Sequence, residues 1–305
     1  MKVLITGANG MVGRNLTERL AGDQNIEVLA PSRGDLDLLE QHAVKAYMVD
    51  NKPDFVFHLA AKVGGIQANI SKPVEFFVEN TLMSTHVIMA ASEAGVEQFI
   101  NLGSSCMYPR NRELLCETDI LRGELEPTNE GYALAKISAA RLCQYIADSK
   151  GVDYKTVVPC NLYGRYDHFE ESRSHMIPAV IRKIHEAKQG SISEVSVWGD
   201  GESRREFMDV DDLVDFLLLT MNDIKKLPTV INVGLGVDYS INEYYQTGAK
   251  VLGYEGSFIH DLTKPSGMKR KMLDVSAANK LGWIAKISLE DGMKKLYSYY
   301  LNSND

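Results

Sequence analysis

Residues 2–22 read KVLITGANGMVGRNLTERLAG: an apolar, β-branched run, then glycines at 7, 10 and 13, then apolar residues at helical spacing. A strand that turns at once into a helix needs glycine at the reversal, because glycine alone takes positive φ without a Cβ penalty. The spacing G-x-x-G-x-x-G leaves the first N–H groups of the helix uncovered. Together with the helix dipole they form a site for a pyrophosphate. A plain glycine turn is the bland alternative, but the position between strand and helix marks a dinucleotide-binding loop.

The alternation continues outward from this stretch. IEVLAPS at 26–32, LEQHAVKAYMVDNK at 39–52 and DFVFHLAA at 54–61 complete a βαβαβ unit. Then come a helix over 73–94, the strand QFINLGSS at 98–105, a helix over 129–149 and the strand YKTVVPCNLYG at 154–164. Apolar strands without polar alternation, separated by helices, predict a parallel sheet covered on both faces. After about residue 165 the pattern loosens into MIPAVIRKIHEAK, EVSVWGDG, VDDLVDFLLLTMND and a closing helix over 289–301. The reading is an α/β chain: a Rossmann-type doubly wound parallel sheet over 1–165, to which some later segments return, and a smaller C-terminal α/β lobe made mainly of 166–305. Ligands are expected in the cleft at the carboxyl ends of the strands.

Composition narrows the function. The 305 residues are 45% hydrophobic and 24% charged, an ordinary globular balance that excludes disordered, collagen-like and coiled-coil chains. Thirty-three basic residues against 41 acidic ones give a net charge of -8, which repels a polyanion, so nucleic acid and anionic membranes are not expected partners. No apolar run reaches the length of a membrane span and the N-terminus enters a strand at once, so a cytoplasmic protein is expected. The four cysteines, Cys106, Cys116, Cys143 and Cys160, show neither metal-ligand nor Cys-x-x-Cys spacing. Reduced thiols and no metal site follow.

Two further sets carry chemistry. At the end of the second strand, Pro31, Ser32 and Arg33 stand where an acidic residue would bind the ribose of NAD; Arg33 favours the 2′-phosphate of NADP, against a solvated surface turn. Tyr132 and Lys136 form Y-x-x-x-K, one helical turn apart on one face, so the ammonium can act on the phenol. A Tyr near pKa 10 must fall by about three units to exchange protons at neutral pH. Ser104, at the carboxyl end of the fourth strand, adds a hydroxyl beside the expected nicotinamide position.

With these residues in view, the chain resembles the extended short-chain dehydrogenase/reductases, and within them the GDP-L-fucose synthase family of 3,5-epimerase/4-reductases. The resemblance covers nearly the whole chain, on LAAKVGGI (59–66), LGSSCMYP (102–109), EPTNEGYALAK (126–136), NLYG (161–164), SHMIPAVIRKIHEAK (174–188), VWGDGESRREF (197–207) and KPSGMKRKMLDVS (264–276). It implies that Ser104, Tyr132 and Lys136 perform the reduction and that Cys106 and His175 are the acid/base pair of the epimerisation. It also implies that Gly7, Gly10, Met11, Gly13, Arg33, Ala60, Lys136 and His175 contact NADP(H). Lys183, Trp198, Arg205 and Lys271 would hold the nucleotide sugar, with Arg204 and Arg270 as understudies, and a homodimer would form through the helices at 73–94 and 129–149.

The implied chemistry is self-consistent, since a ketone at C4 acidifies the protons on C3 and C5, so a thiolate can remove one while an imidazolium returns one to the other face. The substrate class is a GDP-linked 4-keto-6-deoxy sugar. Three departures from the family pattern bear on the finer reading: Asn9 replaces a commonly basic residue, Asp209 replaces a His, and SGMKRK at 266–271 replaces D-G-T-P-R-K. Two alternatives stay open. One is a C4-reductase acting on an already epimerised sugar such as a GDP-4-keto-6-deoxy-heptose; the other is a nonenzymatic NADP-sensing protein.

Overall fold

The computed structural model describes residues 1–171, 174–263 and 269–303. The first part of the chain runs β1 (Lys2–Thr6), α1 (Met11–Leu20), β2 (Glu27–Leu29), α2 (Gln41–Asn51), β3 (Phe55–His58), α3 (Ile66–Ser71), α4 (Pro73–Glu93), β4 (Gln98–Leu102), β5 (Leu114–Leu115), α5 (Glu130–Lys150), β6 (Asp153–Pro159) and β7 (Asn161–Tyr163). The remainder runs α6 (Met176–Gln189), β8 (Glu194–Trp198), β9 (Arg204–Arg205), β10 (Phe207–Asp209), α7 (Val210–Asp223), β11 (Val230–Val233), β12 (Tyr239–Ser240), α8 (Ile241–Leu252), β13 (Ser257–Asp261), β14 (Arg270–Leu273), α9 (Ser276–Lys280) and α10 (Leu289–Ser303).

Among the described residues, six strands make the main sheet in the order β11-β6-β4-β3-β1-β2, all parallel. The chain leaves β1 to one side for β2 and then crosses back to β3 on the other, which puts the topological switch point beside the glycine loop. Helix α1 packs with α7, while α4 packs with both α2 and α5, so both sheet faces are covered. Strand β3 is buried at every residue, as its unbroken FVFH predicts, and Phe55, Phe57 and Phe99 are fully inaccessible. Each such side chain contributes about 1.5–3 kcal/mol of transfer free energy. Gly131 lets α5 approach α4 closely: a Cβ there would stand 3.1 Å from the Pro73 carbonyl oxygen and 3.2 Å from Phe77 Cβ.

The α/β architecture read from the sequence is the one observed, with one difference inside it. YKTVVPCNLYG is not one strand. Pro159 cannot donate to a ladder, and there the chain divides, β6 ending against β11 while β7 pairs with β10. That step carries the chain from the main sheet into a second core of Tyr163, Ile177, Val180, Ile184, Tyr244 and Met293, among others. Residues 210–233 return, since α7 packs on α1 and β11 joins the main sheet.

Candidate active site

A cavity of about 650 Å³ opens at the switch point, lined by the loop from Thr6 to Gly13, by Arg33, Ala60, Ser104, Tyr132 and Lys136, and from the second core by His175. The fit to a dinucleotide can be tested on the backbone itself. Gly7 has φ +74°, and a Cβ there would lie 2.7 Å from both the N and Cα of Ala60. A Cβ on Gly13 would come within 2.2 Å of the Gly7 carbonyl oxygen. Gly10 caps α1 with no side-chain hydrogen bond, and the first turn holds no acidic residue, so the helix N-terminus is free of an internal anion. These residues fit a pyrophosphate. Met11 lines the same wall, and Arg33 is 78% exposed at the rim with its guanidinium 3.9 Å from Asp37.

Tyr132 and Lys136 reach the cavity from α5. Lys136 is buried; its Nζ donates to the Leu102 carbonyl at 2.8 Å and lies 5.9 Å from the Tyr132 ring centroid. Burial pushes its ammonium down to about 8. The Tyr132 phenol moves the other way, above its usual 10, because of burial and the nearby Cys106 thiol; a hydrogen bond from Ser104 opposes the rise. The fall expected from the sequence is therefore not found in the site as folded: Lys136 gives its ammonium to the Leu102 carbonyl, and burial keeps the phenol protonated. Ser104 ends the β4 segment by capping a short 3-10 turn at Ser105–Met107, its Oγ accepting the Cys106 N–H at 3.3 Å.

Cys106 is partly buried. Asn129 Nδ2 donates to its Sγ at 3.1 Å and Lys271 Nζ approaches it to 3.9 Å. His175 caps the N-terminus of α6, half exposed, and its Nδ1 lies 3.4 Å from Oδ1 of the buried Asp167. That carboxylate raises the imidazole above its usual value, against burial.

The residues expected to hold the nucleotide sugar fall into two pairs. Lys183 Nζ donates to the Ser196 carbonyl at 3.1 Å and lies 5.6 Å from the Trp198 ring centroid. Arg205 and Lys271 are register partners on β9 and β14. Arg204 and Arg270 both pair with Asp238, Arg204 at 2.9 Å, and Arg204 also pairs with Glu243. Asp209 is the N-cap of α7, accepting the Asp211 N–H at 2.9 Å and pairing with Lys295 at 3.3 Å; that is a structural task away from the cavity. Of SGMKRK, residues 266–268 lie outside the described residues, as do 264 and 265. Among the described residues no cluster of three or more His, Cys, Asp or Glu is placed to hold a metal ion.

Sequence reasoning missed Asp167, Asn129 and Glu206. Glu206 is buried, is pushed up to about 6 by that burial, and accepts the N–H groups of Gly236 and Leu273 at 2.8 Å each. Their partners are set by the fold, Asp167 meeting His175, Asn129 meeting Cys106 and Glu206 meeting Leu273, and no local spacing announces them.

A glycine loop at a switch point, facing a Ser-Tyr-Lys set across one cavity, defines an oxidoreductase of the short-chain dehydrogenase/reductase class. Residues 3–234 match the model of the NAD dependent epimerase/dehydratase family, and the chain belongs to that family. It is 50% identical to the GDP-L-colitose synthase of Yersinia pseudotuberculosis, over all of this chain and 99% of the relative. It is 45% identical to the GDP-L-fucose synthase of Azorhizobium caulinodans, over all of this chain and 97% of the relative. Among solved structures it superposes on a GDP-mannoheptose C4 reductase of Campylobacter jejuni, with NADP bound, at a TM-score of 0.91 and 32% identity, covering 98% of each chain.

Proposed function

We propose that the protein is an NADPH-dependent 4-reductase that also epimerises C3 and C5 of a GDP-linked 4-keto-6-deoxy sugar. The observation that carries this reading is that Ser104, Tyr132, Lys136 and His175 line one cavity, while the Cys106 thiol, beside it in sequence, is held by Asn129 and approached by Lys271. Ser104, Tyr132 and Lys136 come from the main sheet and its helix, Cys106 follows Ser104 by two residues, and His175 comes from the other core. The names of the relatives at 50% and 45% identity support a GDP-sugar substrate.

NADP(H), when bound along the glycine loop, supplies the hydride for C4. Arg33 at the rim would meet its 2′-phosphate, and Gly7, Gly10, Met11, Gly13 and Ala60 would accept its backbone. For the sugar, Cys106 removes a proton beside the ketone and His175 returns one; Tyr132 protonates the C4 oxygen, with Ser104 holding the phenol and Lys136 renewing its proton. Trp198 would wall the guanine, and Lys183, Arg205 and Lys271 would meet the diphosphate.

A C4-reductase without epimerisation is the second reading, favoured by the likeness to the GDP-mannoheptose C4 reductase. Both Cys106 and His175 are held by specific partners, which supports the first. The experiment separates them by mutation. Tyr132→Phe should lower NADPH oxidation by about 100-fold or more while binding survives. Cys106→Ser and His175→Asn should lower deuterium entry at C3 and C5 from heavy water far more than they lower C4 reduction. If both match the wild type in exchange, the epimerase assignment fails.

The assembly belongs to the same proposal. Phe77, Val78, Leu82 and Met89 on α4 and Leu134 and Tyr145 on α5 are 37–64% exposed and recur at helical spacing. Two copies facing across these helices would bury both stripes in a four-helix contact. A cytoplasmic site of action is part of the same proposal; no described helix is long and apolar enough to cross a membrane.

A further inference from the structure

Asp167 sits on the turn that follows β7. It is buried and has two oxygens with different surroundings. Oδ1 accepts the His168 N–H at 2.8 Å and faces His175 Nδ1 at 3.4 Å; Oδ2 is buried with no hydrogen-bond partner among the described residues. A carboxylate so removed from water favours a cation beside it. Among the described residues, His175 is the basic side chain recorded in an ion pair with it.

Several polar groups lining the cavity or next to it have partners of their own. Lys136 donates to Leu102, Lys62 is paired with Glu75 and Glu79, the Tyr166 hydroxyl donates to Glu18, and the Cys160 thiol donates to the Asn161 carbonyl. Nδ1 of His175 is thereby left to Asp167. The nitrogen that remains to exchange a proton with a ligand in the cavity is Nε2.

We propose that Asp167 is the positioning residue of the epimerisation: its buried carboxylate fixes the His175 imidazole through Nδ1, so that Nε2 presents the proton to the sugar carbon. The inference rests on the function proposed above and adds a residue to it. In the step, Cys106 takes one proton from carbon as an enolate forms, His175 delivers one proton to the opposite face as the ketone re-forms, and Asp167 neither gains nor loses a proton. A carboxylate that only packed the turn would need no particular protonation of His175; one that positions it must hold the imidazolium.

The test is read first without substrate. The His175 imidazole is titrated by NMR in the full-length wild type and in Asp167→Asn and Asp167→Glu, with His175→Asn assigning the signal. Loss of the charge should lower the midpoint by roughly one unit or more, and Asp167→Glu should restore most of it. With GDP-4-keto-6-deoxymannose in heavy water, Asp167→Asn should slow deuterium entry at one of C3 or C5 by about 10- to 100-fold and move the acid limb of that rate with the midpoint. In the His175→Asn background it should add almost nothing. An unchanged midpoint, or an Asp167→Asn effect that persists without His175, would overturn the proposal. Should Asp167→Asn not fold, a low midpoint in Asp167→Glu would overturn it equally, and a retained one would support it. Absence of exchange in the wild type would sink the epimerase reading instead, and the substrate-free titration keeps the two failures apart.

Discussion

Lys271 on β14 places its ammonium 3.9 Å from the sulfur of Cys106, two segments 165 residues apart in the chain. The contact is fixed from behind: Glu206 accepts the Leu273 N–H and so pins β14 two residues beyond Lys271, which is in register with Arg205. A residue expected on the diphosphate therefore also faces the thiol assigned to proton abstraction. A cation there stabilises sulfur as it becomes negative. Lys271→Met should slow deuterium exchange beside the ketone by about tenfold or more, with Lys271→Arg recovering part of it. Equal exchange rates in wild type and Lys271→Met, measured at saturating sugar, would limit Lys271 to binding.

Cofactor choice should turn on Arg33. Its guanidinium is at the cavity rim and mostly in water, so its effect comes from meeting a phosphate there and not from packing. Arg33→Asp puts like charge against the 2′-phosphate, which costs at least ~1.4 kcal/mol, about a tenfold fall in kcat/KM for NADPH relative to NADH. An unchanged ratio would remove Arg33 from the cofactor site.

The exposed stripe on α4 and α5 gives a prediction for assembly. Light scattering at micromolar concentration should give a dimer mass, and Leu82→Glu combined with Phe77→Glu should give a monomer with unchanged far-ultraviolet circular dichroism. A monomeric wild type would refute the four-helix contact.

His58 gives a prediction for stability. It is fully buried between Thr6 at 2.8 Å and Ser84 at 3.2 Å, and burial, with help from the Lys136 charge, pushes it from 6.5 down to about 3. The unfolded chain thus binds a proton that the folded one refuses between those values. The stability it contributes is present above pH 6.5 and is lost as pH falls toward 3, with a slope of up to about 1.4 kcal/mol per pH unit. Urea unfolding from pH 7 to pH 4.5 should show the decline, and His58→Asn should flatten it. A variant declining as steeply as wild type would assign the acid sensitivity elsewhere.

The alternation of strands and helices and the glycine loop were legible because each is a local pattern: FVFH is apolar at every position since both sheet faces are covered, and Gly7 must be glycine at positive φ. Ser104, Tyr132 and Lys136 were legible as a set because a helical turn aligns two of them and a strand end supplies the third. The division at Pro159 was not, because an apolar run looks the same whether its second half stays in the sheet or leaves it. Nor were Asp167 and Glu206, whose meaning lies in partners 8 and 67 residues away. The two-residue strands β9 and β12 are set by pairing across the small lobe, where propensity has little to act on.

Whether one protein both moves protons beside the ketone and reduces it can be read from one incubation. The wild-type protein is mixed with GDP-4-keto-6-deoxymannose in deuterated water, with and without NADPH, and the product is analysed by mass and stereochemistry. Deuterium is expected at both C3 and C5 without NADPH, and with NADPH a C4-reduced sugar inverted at those carbons. Reduction of a GDP-4-keto sugar with no deuterium at either carbon would contradict this expectation and leave a reductase alone.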